Sequence, residues 1–499
     1  MAKVLATPGV YIEERSAFSS SVVPVATAVP AFIGYTQKAR RGTKSLTNVP
    51  TRISSMAEFE ELFGGAPATQ FTISGDDSKG FALEIDSSSH FTLHSAMRFY
   101  FSNGGGNCYI VSVGDYSNGL NAKDFNDPAT GAGIASLPKF LEPTMLVIPE
   151  AVLLEQADCY SLQQAMLSHC GYTMQNRFAL LDVYNGTTER TYDDEDVVNQ
   201  FREGIGANFL QWGAAYYPYV HTTIVQADEV GYLNISNRDG LVEVLTKEVS
   251  DAQDAGMIKP ERADLIKAEI ARLSEVSDAD GVATLTATLK AVSPMFKAIL
   301  GEMRDMLNVM PASSAMAGVY AMVDSTINVA KAPANVSLGS VVAPAVSITS
   351  EGQEDLNLPL NGKAVNAVRT FQGKGVLVWG ARTLDGNSQD WRYVSVRRSM
   401  IFLEQSIKMA AEAYVFEPNN TTTWTSIRAM VTNFLNNQWQ SGILAGSTPD
   451  DAFSVEIGLG VTMTPNDILD GLLKMTVKVA ITRPAEFIVI TFQQQQQKS

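Results

Sequence analysis

Cysteine and histidine are scarce in this 499-residue sequence, with three and four copies, and lysine plus arginine fall short of aspartate plus glutamate by 16. Each shortage removes a class of function. Cys108, Cys159 and Cys170 make an odd count in a long chain, which does not read as a disulfide framework and suits a reducing cytoplasm. Four histidines leave little general acid-base apparatus. A net charge of −16 argues against a general binder of nucleic acid or of anionic membranes, because neither tolerates a broadly negative face. No run approaches the ~18 apolar residues of a membrane span, so no direct membrane insertion is expected. The opening residues also lack a basic stretch followed by an apolar segment and a cleavage site. The expectation is synthesis and assembly in the cytoplasm, with release by lysis or through a larger machine.

Site motifs are missing as well. His90 and His94 have metalloprotease spacing, but Phe91 stands where the glutamate belongs, and a half-exposed helix face is the simpler reading. His169 and Cys170, with Cys159, lie in a helical pattern without a second ligand pair and read as buried core residues. Gly373-Lys374-Gly375 lacks the spacing of a phosphate-binding loop, and Gly104 to Gly106 lacks the features of a dinucleotide loop, so both read as turns. Acidic clusters at Asp193 to Asp196 and Asp278 to Asp280 do not fit a calcium-binding loop and read as helix N-termini or surface charge. No Gly-x-Ser-x-Gly elbow occurs. An enzyme is not expected, and neither a cofactor nor a metal.

What is present is ordinary globular composition, 45% hydrophobic and 18% charged, in a chain long enough for two or three domains. Charge is unevenly spread. From Ala334 onward 13 basic residues face 14 acidic ones, so residues 1–333 carry almost all of the deficit.

Residues 1–22 read as an arm. Val4, Ala6, Val10 and Ile12 fall at even spacing broken by Pro8-Gly9, which confines the strand to an edge or a bend. From Val22 to about Gly204, strand-like runs (Ala31 to Tyr35, Tyr109 to Val113, Thr144 to Ile148, Phe178 to Val183) alternate with helical ones (Ser55 to Phe63, His94 to Phe101, Gln156 to Cys170, Asp194 to Gly204). Such alternation predicts an α/β layer with a largely parallel sheet. Residues 226–310 turn to charged helices whose apolar stripe includes Leu265, Ile266, Ile270 and Leu273, the pattern of an exposed helical insertion. The passage Ala332-Pro333-Ala334-Asn335 marks the expected boundary, dividing an α/β part over 23–333 from a second α/β domain over 334–484. Helices are predicted from Val394 to Val415 and, capped by Thr421 to Thr423, from Thr423 to Trp439. Met475, Val477, Val479 and Ile481 alternate with polar positions as a half-buried strand. Pro484 stops it, and residues 485–499 form a second arm with a strand-like run from Glu486 to Phe492.

Several stretches resemble the tail sheath proteins of contractile phages and of related extracellular injection systems. At the start these are Thr7-Pro8-Gly9-Val10-Tyr11-Ile12-Glu13-Glu14, Ala31-Phe32-Ile33-Gly34 and Phe59-Glu60-Glu61-Leu62-Phe63-Gly64-Gly65. The C-terminal part carries Asn366-Ala367-Val368-Arg369, Val378-Trp379-Gly380-Ala381-Arg382-Thr383-Leu384, Trp391-Arg392-Tyr393-Val394-Ser395-Val396-Arg397-Arg398, Val415-Phe416-Glu417-Pro418-Asn419 and Pro484-Ala485-Glu486-Phe487. The likeness covers 1–110 and 334–499 well and 140–225 more loosely, while 226–310 fit no general pattern of the family.

This resemblance implies a multi-domain α/β (α+β) protomer with an inner C-terminal domain, an outer domain bearing the helical insertion, and extended N- and C-terminal β-arms. It implies a structural subunit that polymerises helically around an inner tube and contracts to drive the tube through a target envelope. The implied partners are other copies of the chain, the inner tube protein, and baseplate and terminal cap proteins. The arms would add strands to neighbours through Val4, Val10, Tyr11 and Ile12 at one end and Phe487, Val489 and Phe492 at the other, hinged at Pro484. An ~18-residue extended arm reaches about 60 Å, enough to cross a body of this size. In an inner domain, the basic flank of the Val394 helix offers Arg397, Arg398 and Lys408 to the tube. The alternative is a structural or binding module of a related particle, without a contractile role, using 226–310 as its interaction surface.

Overall fold

A strand that is apolar at odd and even positions alike is stable only with cover on both faces. Five such strands, Pro30–Gly34, Cys108–Ser112, Met145–Val147, Phe178–Asp182 and Gly213–Tyr217, are buried at every residue. In the computed structural model, which describes residues 21–489, they form the centre of a nine-stranded sheet. Running from one edge, the order is Val336–Ser337, Gly375–Trp379, Asn366–Phe371, Gly213–Tyr217, Phe178–Asp182, Met145–Val147, Pro30–Gly34, Cys108–Ser112 and Thr51–Ile53. The central pairings are parallel, and the antiparallel ones sit at the two edges.

The expected division at 333/334 does not hold. Val336–Ser337, Asn366–Phe371 and Gly375–Trp379 join the sheet built by the first half of the chain, through Tyr216 opposite Asn366 and Tyr217 opposite Ala367. Asn366 fixes that junction, its side-chain amide donating to the carbonyls of Ala215 at 3.1 Å and Arg382 at 2.8 Å. The compact units run differently. One comprises residues 26–401 with the segment that begins at Arg483, and the other 402–482 with the segment that ends at Val25.

Within the larger unit, alternate strand residues feed two cores. Ile33, Val111, Leu181 and Tyr217 pack with Leu162 and Phe201 from the helices Gln156–Ser168 and Val197–Gly204. Phe32, Ile110, Leu180 and Tyr216 pack with Met97 and Met316 from Leu93–Ser102 and Ser313–Thr326. Asp196 caps the Val197 helix by accepting from the N–H groups of Val198 and Asn199, and Asp278 caps Ala279–Val292 in the same way through Gly281, so both acidic clusters do start helices. The three cysteines are buried and unbridged. His94 lies inside the Leu93 helix packing at 5% exposure, not on a half-exposed face.

A third core belongs to the helical insertion, whose helices are Arg238–Asp254, Pro260–Ala271, Ala279–Val292 and Pro294–Leu307. It also takes in the hairpin Phe71–Ser74 and Ala82–Ile85, more than 150 residues upstream, with Asn237 bridging to the Ile73 backbone in both directions. Ile266, Ile270 and Leu273 face inward as expected, but Leu265 is 70% exposed, because the stripe turns with the helix away from its neighbour.

In the smaller unit the helix Thr421–Gln440 packs Ile427, Val431 and Phe434 inward and lies along the antiparallel pair Phe453–Ile457 and Met475–Val479. Its cap is Asn420, which accepts from the Thr423 N–H, one residue before the threonines. The helix that begins at Val394 ends at Ala411 and passes into a short 3-10 turn, Glu412–Tyr414. Among the described residues no helix is long and apolar enough to cross a membrane.

Candidate functional site

The helix Val394–Ala411 supplies the three basic candidates for tube contact, and residues Val394 to Ser399 are buried without a break. Arg397 lies between two indoles, its guanidinium carbon 4.3 Å from the Trp212 ring centre and 4.4 Å from that of Trp391. The weakly hydrated faces of a guanidinium suit such a sandwich. Arg398 donates to both oxygens of Asp324, at 3.0 and 2.6 Å, and to the Thr27 carbonyl at 2.9 Å. Its guanidinium also sits 4.6 Å from the Tyr320 ring, and Tyr320 shares a 2.7 Å hydrogen bond with Tyr216. Arg398 and Asp324 are both only 4% exposed.

Two of the three tube-facing candidates are therefore held inside their own protomer, which corrects the sequence expectation. The partners Trp212, Tyr320 and Asp324 come from segments far along the chain, and no local spacing announces them. Lys408, further along the same helix, stays exposed.

The segment after Pro484 is the second place of interest. Arg382, 1% exposed, donates to both oxygens of Glu486, at 3.0 and 2.6 Å for the shortest contacts, and to the carbonyls of Asn357 and Gly386. Glu486 also accepts from the Asn357 amide at 2.7 Å and the Tyr393 hydroxyl at 3.1 Å. Burial works against ionisation there, but the Arg382 guanidinium and these donors outweigh it and hold the carboxyl below its ordinary range. Arg483 adds a 2.6 Å bond to the Gln389 carbonyl. Beyond Glu486 the side chains of Phe487, Ile488 and Val489 are well exposed. The described part of the expected strand, up to Val489, is irregular, and among the described residues 483–489 make no backbone-to-backbone hydrogen bond. Val4, Val10, Tyr11, Ile12 and Phe492 lie outside the described residues.

The third element is the pair Phe453–Ile457 and Met475–Val479 in the smaller unit. Its sheet has two strands, and Met475, Val477 and Val479 are half-buried between exposed Thr476 and Lys478. Two-stranded sheets are marginal by themselves. Here the helix behind the pair and the continuation of the chain at Ala480, which pairs with Ala445 and Ala452, support it. The same unit displays Leu459, Val461, Leu469 and Phe416 to solvent, a concentration of apolar surface typical of an interaction face.

Among the described residues no group of His, Cys, Asp and Glu is arranged to hold a metal ion. The geometry is that of a binding and assembly surface: buried charge pairs that lock elements together, an anchored tail and an under-filled sheet.

Comparison with known proteins agrees. Residues 387–495 match the family model of the phage tail sheath C-terminal domain. Among solved structures, the contracted sheath complex of the extracellular contractile injection system PVC is 28% identical, with a TM-score of 0.60 and 99% of each chain covered. The contracted helical sheath of the anti-feeding prophage (AFP) is 28% identical at a TM-score of 0.61, covering 99% of this chain and all of that one. A chain of the AFP baseplate is 27% identical at 0.59, with 99% of this chain covered. No curated protein sequence matches. The chain is similar over its whole length to the sheath subunits of these injection systems, its C-terminal part matches the phage sheath model, and it is a structural subunit of a contractile sheath. Coverage this complete takes in residues 226–310, so the insertion that fits no general phage pattern is shared with the injection-system sheaths.

Proposed function

We propose that copies of this chain polymerise helically around an inner tube, each chain end adding a strand to a neighbour's sheet, and that shortening of this lattice drives the tube through a target envelope. The observation that carries the reading is the coexistence of an under-filled two-stranded sheet with a segment, 483–489, that makes no backbone-to-backbone hydrogen bond among the described residues. An added strand makes ~5 to 6 backbone hydrogen bonds at about 1 kcal/mol net each, before side-chain burial. Repeated over many copies, that holds the polymer together while the bodies move.

The arms in this reading are residues 1–22, through Val4, Val10, Tyr11 and Ile12, and the C-terminal segment, through Phe487, Val489 and Phe492. Lys408 is the basic residue left to meet an acidic tube surface. The AFP relatives occur both in a helical sheath and in a baseplate, which supports baseplate contact for this chain too, with a cap protein closing the far end. Assembly in the producing cell and release as a phage-like or extracellular particle follow from the same likeness. The non-contractile alternative rests on the insertion alone, and likeness to contracted sheaths over the whole chain favours the contractile role.

Negative-stain microscopy of the purified chain is the test. Hollow cylinders of regular diameter are expected from the full-length protein and not from variants lacking residues 1–20 or everything after Ala485. Intact cylinders from either deletion would refute strand exchange by that end.

A further inference from the structure

Over its described residues, 483–489, the C-terminal tail is held by side-chain hydrogen bonds. Among the described residues no backbone group of 483–489 bonds another, yet the Glu486 carboxylate meets four donors from three separate segments: Arg382 with two of its nitrogens, Asn357 at the end of the helix Ser350–Asn357, and Tyr393. Arg382 is itself immobilised by the Asn357 and Gly386 carbonyls, its own backbone N–H donates to Asn366 at 2.8 Å, and Asn366 is paired into the nine-stranded sheet. A rigid path of hydrogen bonds thus runs from the central sheet to one carboxylate, and ends there. The next three residues are apolar and exposed.

We propose that Glu486 is the positioning residue of the C-terminal arm. The clamp of Arg382, Asn357 and Tyr393 fixes where the strand-donating segment starts, with exposed Phe487, Ile488 and Val489 leading into a strand for the sheet of a second copy. The effective pivot is then Glu486 rather than the expected hinge Pro484, because Pro484 lies on the anchored side of the clamp. The physical basis is entropy. A tail fixed at Glu486 has fewer residues to order when its strand docks than one loose from Thr482, and each residue ordered carries a substantial conformational cost. This inference rests on the strand-exchange reading and adds to it the residue that sets the arm's origin.

The experiment compares full-length wild type with Glu486→Ala, Glu486→Gln and a variant truncated after Glu486. It measures the critical concentration for cylinder formation by sedimentation, the thermal melt of the unassembled chain, and hydrogen exchange of the peptide spanning 483–489. Loss of the counter-charge of buried Arg382 should lower the melt of Glu486→Ala, whereas the truncated variant, which keeps Glu486, should melt like wild type. Removing a charged partner of a buried arginine should raise the critical concentration by roughly ten- to a hundredfold in Glu486→Ala. Glu486→Gln, which keeps the Asn357 and Tyr393 contacts available, should fall between. The salt dependence of assembly should weaken in both, a readout that loss of folding alone would not give. Tail exchange should speed up in Glu486→Ala. Unchanged critical concentration and salt dependence in Glu486→Ala, with a truncated variant that cannot assemble, would overturn the clamp and leave strand exchange standing. Normal cylinders from the truncated variant would overturn both.

Discussion

Replacing Arg398 with methionine separates the two roles considered for this residue. The guanidinium makes two contacts with Asp324, at 3.0 and 2.6 Å, and a third with the Thr27 carbonyl, all at about 4% exposure, and it rests on the Tyr320 ring. Methionine fills much of the same volume but leaves the Asp324 carboxylate buried without its cation. Breaking a buried pair in this way costs about 3–5 kcal/mol, and loss of the desolvated stack on Tyr320 adds up to ~2 kcal/mol. The expected loss of about 3–7 kcal/mol is a large part of the stability of an ordinary domain. Urea unfolding of the unassembled chain, followed by intrinsic fluorescence, reads it as a shift of the midpoint to lower denaturant. The double variant Arg398→Met with Asp324→Leu removes the orphaned charge and should recover at least ~2 kcal/mol of the loss. A single variant that unfolds within ~1 kcal/mol of wild type but no longer assembles on tubes would refute this reasoning and return Arg398 to the tube interface.

Four further outcomes are expected. Glu150 is fully buried, and burial pushes its carboxyl up to about 7 although the N–H groups of Tyr35, Thr92 and Leu93 donate to it. The native state then binds more protons than the unfolded chain between about pH 4.5 and 7, so wild type should lose stability relative to Glu150→Gln as pH rises through that window, by at most ~3 kcal/mol. A difference that stays flat across the window would contradict this. In the insertion, Ile270→Ala should cost about 2–5 kcal/mol and Leu265→Ala less than ~0.5 kcal/mol in chemical denaturation, since Ile270 is fully buried and Leu265 mostly exposed. Lys408→Glu should leave the melt unchanged and shorten sheaths assembled on tubes, and normal sheath length at every salt concentration would remove Lys408 from the tube contact. Calorimetry of extended sheaths should record an exothermic, irreversible transition, the signature of a kinetically trapped lattice, whereas a reversible or endothermic one would reject that energetics.

What the residues reveal in advance is local. Alternation of apolar strands and helices in the first half predicts the parallel sheet, and apolar runs such as Phe178 to Leu181 suit cover on both faces. Asp196 and Asp278 mark helix starts, and the Gly373 and Gly375 positions mark a turn that both glycines make at positive φ. The family likeness at Arg382, Trp391, Arg397, Arg398 and Glu486 singles these residues out without saying what they touch. The reading failed where an answer depended on a partner far away in the chain. The Pro333 passage has the composition of a linker, yet it leads into a strand of the same sheet.

The sequence by itself determined the classes of secondary structure and the likeness to contractile sheath proteins, because periodicity, capping residues and motif order are properties of neighbouring residues. Only the tertiary structure decided that Arg397 and Arg398 face inward, that the Phe71 hairpin serves the core of an insertion far downstream, and that Glu486 pairs with buried Arg382. Whether a charged side chain meets solvent or a buried counter-charge depends on which distant surfaces fold against it, and a helix period read along one stretch of chain contains no information about those surfaces.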